Sequence, residues 1–515
     1  MKKICKKVIS LLLCVLILVS FTAPAFAESE KTAFIVVSGM NTFPLYDEDN
    51  NKVYPLTTNT IVKLAAKLLP YISEYLVTRD SDKLADKIIP IAYDAFEPIA
   101  CNKDGESAYT LHTDLFDEGL QGKTSYFEGK TKDEEGIVNA AIEKYGIDNT
   151  FFFNYDWRLD PLEHADRLNE FIKNVKEKTG CTRVALAAFS MGGTVTCAYL
   201  YKYGSKNVDV IELASTAFQG TSIVGDLFRG LLEVDMEGLF NRLAMLTRDN
   251  TLEELVDYIN EGLTLNGFND NLSYFANNLI SEIGERVYRE LLIPIFGYMP
   301  GLWALCDYDS YGEAKEFMLK GNVDESLIKS IDEYHYNVQG KAKEILTEAQ
   351  KDTNIYIFAQ YNMQGTPVSA NCTKSNNDYL IDCIYASGGA TCSNLGETLG
   401  EDYKQQLYTD CNYLSPDGQI DASTCMFPDK TWFIRDMGHV DYPVGDGSDF
   451  IFYFADQTEQ VTVKNAKYSQ FLSYSYSTEK LTETSNVEKT GFFHNLLLFF
   501  GKIRKFFYNL FNIAR

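Results

Sequence analysis

The chain has 515 residues, 45% of them hydrophobic and 13% aromatic, which excludes a disordered chain and leaves room for one large domain with insertions or for two domains. Its formal charge is −25, from 72 acidic against 47 basic side chains. So acidic a body argues against a nucleic-acid partner, because phosphate contacts need Lys and Arg.

At the N-terminus Lys2, Lys3, Lys6 and Lys7 precede an apolar run from Val8 to Val19 that closes on Ala25-Phe26-Ala27. Charge, apolar run and small-x-small site predict a secretory signal over 1–27, removed with Cys5 and Cys14. Removing its four lysines leaves a charge of −29 and nine of the 11 cysteines. Cys372, Cys383, Cys392, Cys411 and Cys425 fall within a loop-rich stretch, 372–425, where an exported chain is expected to form disulfides. Their pairing stays open. No C-x-x-C spacing occurs and only His439 lies near, so neither a metal nor a cofactor is expected.

Ala33–Val37 is predicted as a strand ending in Ser38-Gly39-Met40-Asn41. The Met40 N–H could face a developing oxyanion there, and an ordinary strand-end turn fits equally well. Residues 46–130 form an excursion with helical patterns over Thr60–Val77 and Asp82–Phe96. Asp47, Glu48 and Asp49 are taken as a solvated acidic turn rather than a calcium site. A helix over Lys132–Tyr145 and a strand over Thr150–Tyr155 follow. In Asp156-Trp157-Arg158-Leu159-Asp160-Pro161, Asp160 is a good N-cap for a helix that Pro161 opens and that runs to about Lys178.

The apolar run Val184–Ala188 then stops at Phe189-Ser190-Met191-Gly192-Gly193, and a helical pattern follows at Val195, Ala198 and Tyr199. Strand, tight turn carrying a serine, and helix make a nucleophile elbow, here A-x-S-x-G with Ala188 and Gly192 as the small residues. The Met191 N–H at the helix start is a second candidate oxyanion donor. A strand over Val208–Ala214 continues the alternation, which predicts a doubly wound, mostly parallel α/β sheet with 28–222 as its first part.

Residues 223–352 interrupt it with helical patterns at Leu231–Thr247, Leu252–Leu263, Leu272–Leu292 and Leu327–Ala349, a natural cap or lid. Phe296, Tyr298, Leu302 and Trp303 could line an acyl pocket or form the cap's own core. The sheet resumes over 353–474, with strands at Asn354–Gln360 and Thr431–Arg435. The second ends in Asp436-Met437-Gly438-His439. Of five histidines only His439 sits in a Gly-flanked loop after a late strand. His112, His164, His335 and His494 are expected to play no chemical part.

Residues 475–489 are Ser/Thr/Glu-rich and read as a linker. Beyond them, 490–515 carries no acid. Phe499, Ile503, Phe506, Phe507, Leu510 and Ile513 share one helical face, opposite Lys502, Lys505, Asn509 and Asn512. This basic amphipathic helix is expected to lie in the interface of an anionic membrane, with docking on the body's own surface as the alternative.

Acyl transfer from an ester needs a nucleophile, a base, an acid that orients the base, and oxyanion donors. Ser190, Asp417 and His439 meet the first three in the order Ser…Asp…His. Asp417 is preferred for its Asp-Gly turn, Asp421 is its rival, and Asp410, Asp429 and Asp436 are weaker.

Several segments together resemble the lecithin:cholesterol acyltransferase family of lipases and acyltransferases, members of the α/β-hydrolase superfamily. They are Phe34-Ile35-Val36-Val37-Ser38-Gly39-Met40, Tyr155-Asp156-Trp157-Arg158-Leu159-Asp160-Pro161, the elbow at Ala188–Gly193, Ala214–Ser222, Met299-Pro300-Gly301-Leu302-Trp303, Asp417-Gly418-Gln419-Ile420 and Gly438-His439. The most specific is Asp156, Trp157 and Arg158 within the family's Y-D-W-R-x-x-P signature. Ala188 stands where the family has Gly, and Ser38 where it has His or Pro. The resemblance runs from about residue 33 to 445. It implies an α/β-hydrolase fold with a helical cap that forms an acyl-serine from a lipid ester. The acceptor stays open: water makes a secreted lipase or phospholipase A, an alcohol makes an O-acyltransferase. An inactive hydrolase fold serving as a surface binding protein is the third reading.

Overall fold

The computed structural model of the protein describes residues 31–128, 130, 133–235, 238, 268–321, 323–408, 411–442 and 445–485. The expected signal at 1–27 and basic helix at 490–515 lie outside the described residues, as do most of the expected helices at 231–247 and 252–263.

Eight strands form the main sheet: β1 Thr32–Val37, β2 Thr150–Phe153, β3 Arg183–Ser190, β4 Val210–Thr216, β5 Asn354–Tyr361, β6 Thr431–Arg435, β7 Phe471–Ser475 and β8 Lys480–Glu483. Their spatial order is β8-β7-β6-β5-β4-β3-β1-β2, parallel throughout except for β8, which runs antiparallel to β7. The central strands lack polar alternation because both sheet faces are covered. Val184, Leu186 and Ala188 of β3 pack in one apolar cluster with Ile172 and Val195. Ala185, Ala187 and Phe189 pack in another with Ile137 and Phe454. A parallel sheet sandwiched between helices requires such continuous apolar runs. The fold is therefore α/β, as the alternation of patterns predicts.

The helices follow from ordinary signals. In the excursion, α1 spans Thr58–Thr78 and α2 Ser81–Phe96, N-capped by Thr57 and Asp80. The sheet is flanked by α3 Asp133–Tyr145, α4 Pro161–Thr179 and α5 Gly192–Tyr203. Asp160 caps α4, its Oδ1 accepting the Leu162 N–H at 2.8 Å. The insertion after β4 holds α6 Ser222–Phe228, α7 Phe268–Val287, α8 Tyr308–Met318, α9 Glu325–Glu333 and α10 Ala342–Ala349. The last of the set, α11 Asp446–Ala455, packs on the sheet through Phe450, Ile451 and Phe454.

Three expectations are corrected. The continuous helix expected over Leu327–Ala349 is broken by a π-turn at Tyr334–Val338 and a 3-10 turn at Gln339–Lys341. Buried side chains force the break. The His335 ring stacks on Tyr311 at 3.7 Å, and the Gln339 amide donates to Ala304 O and Cys306 O at 3.3 and 3.0 Å. In the Ser/Thr/Glu-rich stretch expected as a linker over 475–489, the described part, 475–485, instead turns back and pairs as β8, with Tyr474 opposite Leu481, and 486–489 lie outside the described residues. No disulfide joins the nine described cysteines, so those expected over 372–425 are not formed among the described residues. Most of these thiols are buried and act as small apolar groups.

Candidate active site

Ser190 ends β3 with φ 51, a left-handed conformation that a side chain bearing a Cβ adopts only under constraint. The constraint is the close passage of α5 over the sheet. A Cβ on Gly192 would sit 2.6 Å from Val37 O, and one on Gly193 would sit 2.4 Å from the Thr216 Cβ. Neither position admits a side chain. The pairing of β3 with β4 slips at Phe189/Ser190, so that Ser215 becomes an extra residue, itself at φ 50. Met191 begins the turn of α5. Backbone N–H groups of a first helical turn have no partner within the helix and point outward, as an oxyanion donor must.

Met40 lies in the loop after β1, its side chain largely exposed. Buried polar groups hold that loop: Tyr155 Oη donates to Ser38 O at 2.9 Å and Ser38 Oγ to Asn154 Oδ1 at 3.0 Å. Ser38 is wholly buried, so it acts as a structural anchor of the loop.

His439 follows β6 on a loop tied down at both sides. The Gly438 N–H donates to Tyr476 Oη at 2.8 Å, and that phenol donates to Asp441 Oδ2 at 2.7 Å. Tyr442 lays its ring against Phe189, centroids 5.8 Å apart, directly before the serine. Its phenol accepts from Ser215 Oγ at 3.4 Å, and Ser215 also bonds the Gln360 side chain. Burial raises the Tyr442 phenol above its ordinary pKa, so it stays neutral. The histidine loop is thus packed on the strand end that carries Ser190.

The acid on His439 is Asp378. His439 Nδ1 lies 2.9 Å from Asp378 Oδ2. Asp378 is fully buried, and its Oδ1 accepts the N–H groups of Leu380 and Ile381 at 3.0 and 2.8 Å. In neutral imidazole, donation from Nδ1–H to a carboxylate leaves Nε2 as the basic nitrogen.

Asp417 does not contact His439, which corrects the assignment made from its Asp-Gly turn. Its carboxylate is occupied by its own surroundings. Oδ1 accepts from Ser415 Oγ at 2.6 Å and from Gln419 N at 3.2 Å. Oδ2 accepts from Tyr361 Oη at 3.0 Å and lies 3.3 Å from Arg435 Nε. Asp421 is occupied likewise, by Tyr403 Oη, Gln406 N and Ser423 N. Asp378, Asp417 and Asp421 all lie between β5 and β6, so chain order cannot choose among them. The local signal for Asp378 is an aspartate whose side chain closes a turn onto the N–H groups two and three residues on.

Asp156, Trp157 and Arg158 form a joint between the sheet and its insertions. The buried Arg158 guanidinium donates to both Asp156 oxygens, at 3.0 and 2.6 Å, and to Ile99 O of the excursion at 2.9 Å. Arg158 O accepts the Gly301 N–H of the insertion after β4 at 2.9 Å. The Trp157 ring packs against Tyr54 at 5.7 Å. In that insertion Trp303 is wholly buried, donating Nε1–H to Gly297 O at 2.9 Å and lying against Phe228 and Tyr311, so it belongs to the insertion's own core. Phe296, Tyr298 and Leu302 are only partly buried around it.

Among the described residues no group of three His, Cys, Asp or Glu side chains is arranged to hold a metal ion. No helix among them is long and apolar enough to cross a membrane.

No family model matches the chain, and no curated protein does. Among solved structures, the crystal structure of the Tle4-Tli4 complex is similar at 13% identity with a TM-score of 0.19, over 38% of this chain and 47% of that chain. The likeness spans about half the length of that chain, and at this TM-score it carries no argument.

Proposed function

We propose that the chain is a serine hydrolase of lipid carboxylic esters, with Ser190 as nucleophile, His439 as base and Asp378 as the acid that orients it. The observation that supports this reading is a strained serine at the strand–helix turn after β3, together with a histidine in the loop after β6 of the same sheet that a buried carboxylate holds. Ligands of open α/β sheets bind at the C-terminal ends of the strands, where all three residues lie. On this reading the fold is of the α/β-hydrolase type, and residues 223–352 are its cap. The resemblance to the lecithin:cholesterol acyltransferase family favours a lipid acyl donor.

The chemistry follows from the roles. His439 Nε2 takes the Ser190 Oγ proton as the oxygen attacks the ester carbonyl. The imidazolium so formed keeps its Nδ1–H on Asp378. Backbone N–H groups of Met191 and Met40 receive the oxyanion, each donor worth about 3–4 kcal/mol in the transition state. His439 then protonates the leaving alcohol, and a water deprotonated by the same nitrogen releases the acid. An alcohol in place of water would make the chain an acyltransferase, which product analysis with added alcohol separates. The leader and the basic tail suggest an exported enzyme held at a membrane surface.

Fluorophosphonate labelling of the purified protein, beside Ser190→Ala, tests the reading. Labelling of the wild type alone is expected. No labelling of either folded protein, with detergent present to open a cap, would leave a binding protein on a hydrolase-like scaffold.

A further inference from the structure

Tyr379, next to Asp378, has φ 92. A bulky side chain seldom enters this region, which glycine occupies freely. Such strain persists only where surrounding structure imposes it. Here the main chain is closed on both sides. Asp378 N–H donates to Ile381 O at 3.2 Å, and Thr366 Oγ donates to Tyr379 O at 2.8 Å. On backbone grounds glycine would serve better at 379, so the tyrosine side chain needs a reason of its own.

Its ring supplies one. A Cβ built on Gly438 would stand 2.7 Å from Tyr379 Cε2 and 3.0 Å from Cδ2, so the ring lies flush against the main chain of Gly438. The residue after the acid therefore packs on the residue before the histidine. The two loops, one from β5 and one from β6, are joined at their roots by Asn362 Nδ2 donating to Asp436 Oδ1 at 2.5 Å, and beside the imidazole they meet at two adjacent points: the Asp378–His439 hydrogen bond of 2.9 Å and the Tyr379–Gly438 contact. A single hydrogen bond lets one loop rock about it, and a second contact removes that freedom.

We propose that Tyr379 is a positioning residue of the candidate active site, its ring on Gly438 setting the separation at which Asp378 holds the His439 imidazole. The inference rests on reading Ser190, His439 and Asp378 as the catalytic set. It also accounts for the pairing of residue types: glycine at 438 because a ring approaches it, and a strained tyrosine at 379 because that ring is needed.

The test uses the full chain with Tyr379→Phe, Tyr379→Ala and Gly438→Ala, folding checked by circular dichroism. Two quantities are read: kcat and KM on a p-nitrophenyl ester, and the low-field proton resonance of His439 Nδ1–H in protein labelled with nitrogen-15 histidine, assigned by its loss in His439→Ala. Tyr379→Phe is expected to match the wild type in both. Tyr379→Ala is expected to lower kcat about 100-fold at unchanged KM and to lose the resonance, as a misplaced catalytic group does. Gly438→Ala, which drives a methyl into the ring, should do the same, and the two changes combined should cost less than their sum. The proposal is overturned when Tyr379→Ala, or Gly438→Ala should the former not fold, keeps both kcat and the resonance. It is also overturned when Tyr379→Phe loses as much as Tyr379→Ala. A resonance that follows the expected pattern in a protein that hydrolyses no ester would uphold the positioning and overturn the functional reading instead.

Discussion

His439 Nδ1 and Asp378 Oδ2 stand 2.9 Å apart, joining a loop after β6 to a loop after β5. The carboxylate is wholly buried and has two backbone donors besides the imidazole. Asp378→Asn is expected to lower kcat about 10⁴-fold, because the amide can hold the ring in the wrong tautomer. Asp417→Asn should leave kcat near the wild-type value. It should lower stability by about 1–3 kcal/mol instead, since the amide keeps one acceptor oxygen and so leaves either Ser415 or the pair Tyr361 and Arg435 facing an NH2 group. Steady-state kinetics and urea unfolding of the two variants decide between the acids. The reverse pattern would return the role to Asp417.

Arg158 is fully buried and Asp156 partly so, with 2.6 Å between Nη2 and Oδ2. Asp156→Ala strands the guanidinium and is expected to destabilise the fold by about 3–5 kcal/mol. The urea midpoint reads this directly. Lost activity at an unchanged midpoint would mean that the motif meets the substrate rather than the insertion after β4.

Glu212 sits in the middle of β4 with both carboxylate oxygens buried and without a hydrogen-bond partner. Burial, helped by the charge of Asp456, pushes its pKa well above the usual 4.5. A folded pKa above the unfolded one means the folded state binds the extra proton. The stability tied to that proton is present below about 4.5 and is lost as pH rises. Glu212→Gln should therefore raise the melting temperature at pH 8 and change it little at pH 4. Equal effects at the two pH values would contradict a buried protonated acid.

His164 behaves in the opposite sense. Its Nε2 is 2.7 Å from Asp156 O, and burial holds its pKa at about 4 against 6.5 for the free side chain. The unfolded chain takes up the proton first. Stability present above pH 6.5 is thus lost as pH falls toward 4, by roughly 3 kcal/mol. His335, also buried and also held at about 4, adds to the same limb. Unfolding of wild type and His164→Gln from pH 4 to 7 measures the difference. Parallel curves would show that His164 is already accessible to protons.

Residue pattern alone was enough wherever the physics is local. The run Val184–Ala188 reads as a strand buried on both faces, Asp160 and Pro161 read as a helix start, and the small residues around Ser190 foretell a tight strand–helix passage. The order of such elements determines a mostly parallel α/β sheet. Tertiary structure decided what depends on contacts between distant loops. Asp417 and Asp378 carry the same carboxylate in the same long connection, and each sits in a turn. Only the folded chain shows that Tyr361, Ser415 and Arg435 occupy the first, and that His439, 61 residues on, meets the second. The same holds for the insertion after β4 and for the stretch that follows β7. The break at Tyr334–Val338 answers to Tyr311 and Trp303, and β8 forms because an edge of the sheet was open to it. A helix or a capped turn is specified by neighbours along the chain, whereas a hydrogen bond across loops is specified by the positions to which the whole fold brings them.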